Sequence, residues 1–168
     1  FVEERRRSMS TYSMAYRKTR DIIFEVYPEE FAHINLIEWT MEKAEKLFEV
    51  LDDFLQNRNK PFVHIEREII PNDHLIDQFP EINPLFDWNH TLLTSILQNT
   101  DQFVLLGTKK AGILSKKNPY GIQNVHDFIS YLLKNEFNGY VKVTELQKYL
   151  YRIDMCNETI PKYYLTPE

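Results

Sequence analysis

The chain has 168 residues, 43% of them hydrophobic and 27% charged, with a formal net charge of −5. This fits one domain with a solid core or two small units sharing an element, and the net acidity argues against a protein that coats nucleic acid indiscriminately. A single cysteine, Cys156, excludes an internal disulfide framework and an all-cysteine zinc site, and no apolar run is long enough to span a bilayer.

The charge is unevenly spread. Residues 1–20 carry +4, 21–57 carry −8, 58–90 carry −3, 91–120 carry +3 and 121–168 carry −1. The start, Phe1-Val2-Glu3-Glu4-Arg5-Arg6-Arg7, has neither an initiating Met nor a signal-peptide apolar region. The expectation is a segment of a longer, cytoplasmic protein in a reducing compartment. Only four glycines stand against eleven Phe, ten Tyr and two Trp. That balance points to a mainly α fold packed on aromatic anchors, with a small β-hairpin.

In chain order, 1–35 reads as an N-terminal basic segment and helix. Its helix is predicted over Thr11 to Val26, with Tyr12, Ala15, Tyr16, Thr19, Ile22, Ile23 and Val26 near one face and Tyr27-Pro28 at its end. A long helix is predicted from Leu36 to Asn57, its stripe made by Trp39, Ala44, Leu47, Phe48, Leu51, Phe54 and Leu55. Turn residues Asn57 to Pro61 close it, and Phe62-Val63-His64-Ile65 reads as a short strand. Brief helical turns are expected at Glu66 to Ile70 and Asp73 to Phe79, before the prolines Pro80 and Pro84.

The segment 87–115 is the most informative. A capped amphipathic helix, Trp88 to Asn99, runs into the apolar pair Phe103-Val104-Leu105-Leu106 and Ile113-Leu114, joined by the basic turn Gly107 to Gly112. Helix, short strand, helix, helix, hairpin is the order of a winged helix-turn-helix, so 36–120 is read as one such unit. From 121 to 168 the pattern begins again. It has a helix at about Asn124 to Glu136, a turn at Phe137-Asn138-Gly139-Tyr140, a short strand at Val141-Lys142, and a helix capped by Thr144 through Arg152. This echo suggests a tandem arrangement in which the second winged-helix-like unit has no visible wing.

The phrases Leu47 to Leu55, Pro61 to Ile65, Leu92 to Leu97 and Phe103 to Gly107 together resemble the HARE-type winged helix-turn-helix. That domain occurs in bacterial RNA polymerase delta subunits and attached to various DNA-handling enzymes. The resemblance covers about residues 38–115, with a weaker repeat from 124 onward, and departs from the pattern at the proline-interrupted stretch Asn72 to Phe86. It implies contact with DNA or the transcription machinery, and no catalytic residue.

Candidate nucleic-acid contacts follow. On the presumed reading helix they are Asn89, His90, Thr94 and Gln98, with Thr91, Ser95 and Asn99 beside them, all able to hydrogen-bond base edges or phosphates. Around the hairpin they are Lys109, Lys110, Lys116 and Lys117; since the helix carries no Arg or Lys, these lysines are the stronger positioning contacts. Arg5, Arg6, Arg7, Arg17, Lys18 and Arg20 form a second basic patch, for which a solvated linker is the ordinary alternative. A polar solvent face and a lysine-rich soluble turn are the ordinary alternatives for the others.

No catalytic, cofactor-binding or metal-binding constellation is visible, and no cofactor is expected. The five His are not at metal-ligand spacing, and phosphate-cradling and nucleophile motifs are absent. The competing function is a protein-interaction module with another domain or a second copy as partner. It would use the −8 stretch and any exposed subset of Phe79, Phe86, Trp88, Tyr149, Tyr151, Tyr163 and Tyr164.

Overall fold

The computed structural model describes residues 22–98, 100–107 and 112–166. Short helices and two small antiparallel sheets make a mixed helix-and-sheet fold, rather than a mainly helical one with a single hairpin.

The first correction falls at the N-terminal helix. Its last described residues form strand β1 (Ile23–Tyr27), which pairs antiparallel with β2 (Glu30–His33). Ile, Phe, Val and Tyr favour a pleated backbone, and Phe24 and Val26 are buried at period two. Glu29 closes the hairpin in the left-handed region (φ 66°), its N–H donating to Glu25 Oε1 at 2.9 Å. The rest of that helix, and the basic patch from Arg5 to Arg20, lie outside the described residues.

The single helix expected from Leu36 is two. α1 (Ile34–Ile37) ends where Glu38 turns left-handed (φ 62°), and α2 (Met41–Gln56) starts afresh at Thr40, whose Oγ1 accepts from the Lys43 N–H. α2 buries Ala44, Leu47, Leu51 and Leu55 along one stripe. Strand β3 (Phe62–His64) follows, then a wide turn over Ile65–Ile69 closed by the Ile70 N–H on the Ile65 carbonyl at 3.0 Å. α3 (Asp73–Ile76) is capped by Asn72. The proline-interrupted stretch beyond it is packed. Phe79 and Trp88 meet edge-on at 5.2 Å, Trp88 meets Trp39 at 5.9 Å, and Trp88 Nε1 donates to the Pro80 carbonyl.

α4 (His90–Leu97), capped by Asn89, leads to β4 (Phe103–Leu106) and β5 (Ile113–Lys116). The three strands lie in the order β3-β5-β4, all antiparallel. Alternation along them divides the interior in two. Val63, Leu114, Phe103 and Leu105 face a core built with α2, α4 and the β1–β2 hairpin. Phe62, Ile113, Val104 and Leu106 face a second core built with the C-terminal helices. The sheet is therefore a wall shared by both halves.

The C-terminal half contains α5 (Val125–Asn135), capped by Asn124, and α6 (Val143–Arg152). Phe128, Ile129 and Leu132 of α5 pack with Leu146 and Leu150 of α6. Asn138 (φ 54°) and Gly139 (φ 89°) turn the chain between them, and Val141-Lys142 forms no strand. Lys142, not Thr144, occupies the cap position of α6, and its side chain makes no capping hydrogen bond. A final turn, Lys162–Tyr164, buries Tyr164, whose hydroxyl donates to the Met155 carbonyl at 2.7 Å.

Candidate interaction surfaces

α4 covers the segment expected from the sequence to be a reading helix, yet six of its eight residues are buried. One side faces the core through Leu92, Leu93, Ile96 and Leu97. β1 lies along another: the Glu25 N–H donates to Ser95 Oγ at 2.9 Å, and Asn89 Nδ2 donates to the Val26 carbonyl at 2.9 Å. Asn89 Oδ1 also accepts from the Leu92 N–H, so both ends of this amide are engaged in holding the fold. Thr94 and Ser95, expected on the surface, are buried, and Thr94 Oγ1 donates to the His90 carbonyl at 2.8 Å. His90 and Thr91 are half-buried, and Gln98 is exposed just past the helix end. A helix with no charged residue, HTLLTSIL, is one that can be surrounded in this way.

The hairpin lysines divide. Lys109 and Lys110 lie outside the described residues, as does Asn99. Lys116 shares its face of the sheet with Phe103 and pairs with Asp52 of α2. Lys117 Nζ donates to the Thr100 carbonyl at 3.1 Å. Both are therefore tied into the fold instead of projecting from a wing.

A polar seam joins the halves beside the shared sheet. His64 is buried, with Nε2 at 2.9 Å from Asp154 Oδ2 and Nδ1 accepting from the Arg67 N–H. That acceptor role places the neutral ring's proton on Nε2, directed at Asp154. Arg67 reaches the same carboxylate at 2.8 Å and donates to the Arg152 carbonyl at 2.6 Å. Lys60 pairs with Glu136 at 3.3 Å, and Arg58 with Glu68.

This seam alters what the charge count means. The formal −1 over 121–168 includes Glu136 and Asp154, both neutralised by cations of the first half. Lys134, Lys142, Lys148, Arg152 and Lys162 are all exposed, and their side chains form no ion pair among the described residues. Before Lys117, by contrast, only Lys43 and Lys46 among the described cations are left without an ion pair, and they sit on the acidic α2. α6 also exposes Val143, Thr144 and Tyr151, with Gln147 half-buried between them.

The sequence reading overlooked this face. Its signal was present in VTELQKYLYR, where Leu146 and Leu150 make a narrow apolar stripe and polar or charged residues occupy most of the rest.

Among the described residues no group of three or more His, Cys, Asp or Glu is placed to hold a metal ion, and no helix is long and apolar enough to cross a membrane. No protein-family model matches the chain, and no curated protein or solved structure shows significant similarity to it.

Proposed function

We propose that the chain is a winged-helix module that contacts DNA within a larger DNA-acting or regulatory protein. Support for the architecture comes from the order α2, β3, helical turns, α4, β4, β5, with β5 between β3 and β4 in the sheet. The observation that carries the DNA reading is the segregation of cations: those near the sheet are consumed internally, and five on the C-terminal half remain exposed and unpaired among the described residues. Phosphate attraction by such groups supplies most of the affinity in non-specific binding to DNA. The test is fluorescence anisotropy with duplex DNA at low and moderate salt. Affinity that falls steeply with salt is the expected result, and no salt-sensitive binding rejects the reading. Comparison with Lys109→Glu/Lys110→Glu shows whether the hairpin turn contributes.

A second reading, protein contact through the first half, is favoured by the covering of α4. Leu36, Met41 and Leu85 are 49%, 78% and 70% exposed, and the hydrogen bond from the Asn83 N–H to the Ile37 carbonyl brings the segments of Leu36 and Leu85 together. Carboxylates Glu38, Glu42 and Glu81 accompany them in the chain. If a second copy is the partner, sedimentation shows a concentration-dependent dimer that Met41→Ser/Leu85→Ser abolishes; a monomer at all concentrations excludes self-association.

A further inference from the structure

The geometry points to α6 as the helix that enters the major groove of duplex DNA, a site distinct from α4 and from the hairpin; the inference rests on the DNA reading above. α6 is ten residues long, so it spans about 15 Å at 1.5 Å per residue. It buries Leu146 and Leu150 and turns the opposite side outward. Val143, Gln147 and Tyr151 recur every fourth residue, with Thr144 and Lys148 on the adjoining row and Arg152 at the end. This stripe combines two side chains able to reach base edges, Thr144 and Gln147, with two cations able to hold phosphates, Lys148 and Arg152. Lys142, exposed at the N-cap one residue before the helix, adds a third cation at its start.

Charge complementarity selects the occupant. Lys142, Lys148 and Arg152 have no carboxylate partner among the described residues. The one acidic residue of α6, Glu145, lies at the edge of the stripe, in the first turn, where a carboxylate complements the helix dipole. A polyanion fits this surface and an acidic protein partner would have to provide the same charge less densely. Among polyanions, B-form DNA has a major groove wide enough for an α-helix, whereas the A-form groove of duplex RNA is too deep and narrow. Tyr151 at 57% exposure offers its ring to the sugar-phosphate wall or to a thymine methyl.

The arrangement also follows from the fold. Arg67 holds the C-terminal carbonyl of α6 and pairs with Asp154 just beyond it, so the helix is fixed from its far end while its outer face remains bare.

The experiment measures anisotropy of three labelled probes of one sequence, about 20 base pairs long so that they span roughly two helical turns. The probes are duplex DNA, duplex RNA and single-stranded DNA. The parent chain is expected to prefer duplex DNA. Lys148→Glu/Arg152→Glu is expected to lose at least about tenfold in affinity, with a salt slope lower by about two, while Lys109→Glu/Lys110→Glu loses less. Lys148→Gln/Arg152→Gln, checked by far-ultraviolet circular dichroism, gives the same direction without charge reversal. Gln147→Ala is expected to change affinity by different factors on A·T-rich and G·C-rich duplexes, as a phosphate contact would not. If the parent binds duplex DNA and the Lys148/Arg152 variants stay within about twofold of it, the inference is overturned and the broader DNA reading survives. Equal binding of RNA duplex or single strand overturns the groove assignment, and absence of salt-sensitive binding to any probe removes both.

Discussion

α4 and α6 are each the last helix of their half of the molecule, and the two are treated in opposite ways. α4 buries six of eight residues between the core and the β1–β2 hairpin, whereas α6 buries two of ten. The difference lies in what flanks them. α4 is followed by strands that pack on it and preceded in sequence by a hairpin that returns across it; α6 is followed by a turn whose Tyr164 anchors to Met155, leaving the outer face uncovered. The lesson is that position in a helix-turn-helix order does not make a reading helix. What packs around a helix decides which of its faces stays open to a partner.

The comparison can be broken most sharply by truncation. Leu92→Ala or Leu93→Ala, at fully buried positions of α4, is expected to cost about 2–5 kcal/mol, whereas Tyr151→Ala on α6 stays within about 0.5 kcal/mol. Urea unfolding measures both, and an equal cost would mean that α6 is covered. Ser95→Ala comes next. It removes the acceptor of the Glu25 N–H and is expected to cost about 1–3 kcal/mol, with hydrogen exchange accelerated first in β1.

Lys142→Ser tests whether α6 trades stability for charge. A serine at this position can cap the helix, and removing the cation relieves its conflict with the dipole, so the variant is expected to be about 0.5–1 kcal/mol more stable. Its DNA salt slope is expected to fall by about one. Stabilisation without any change in binding would leave Lys142 outside the contact.

An effect confined to alkaline pH concerns Tyr149, on the inner side of α6 against Phe137 at 5.4 Å. Burial first, then the charge of Glu136 and the phenol of Tyr131, push its hydroxyl up to about 12 from an ordinary 10.0. The folded state therefore resists ionisation more than the unfolded state does. Its contribution to stability is intact below pH 10.0 and is lost as pH rises through about 12. The difference in tyrosinate absorbance between the parent and Tyr149→Phe isolates this step, and ionisation of Tyr149 near 10.0 would show that the inner side of α6 is wet.

Much of the local structure was legible because it is set by short-range chemistry. The strand at Phe62, the hairpin from Phe103 and the helices that start beside Asn89 and Asn124 come from alternation and side-chain acceptors acting within a few residues. The failures share one cause, competition between equally periodic readings. Ile22, Ile23 and Val26 suit a helical face, but Phe24 and Val26 suit a strand, and the partner strand β2, which starts after a turn of two residues, settles the choice. Leu36 and Trp39 continue the apolar stripe of α2 in sequence, yet Thr40 is the better cap and Glu38 breaks the chain before it.

The candidate contacts were less legible than the elements. Thr94 and Ser95 are polar and short, so either solvent or a neighbouring backbone can satisfy them. Lys116 looked like part of a basic island until the sheet register put it opposite Asp52. For Ser95 and Lys116 a partner distant in sequence removed a surface-compatible residue from the surface, whereas Thr94 bonds the carbonyl four residues before it.

By itself, the sequence determined where helices and strands could start and stop, the apolar alternation that gives the second sheet two buried faces, and the absence of charge that lets α4 be enclosed. Those depend on neighbours within about one turn or one strand pair. The tertiary structure decided which side of each element is covered and which charges cancel. Glu136 and Asp154 meet Lys60 and Arg67 across separations of 76 and 87 residues, and it is this long-range neutralisation that leaves the cations of α6 exposed.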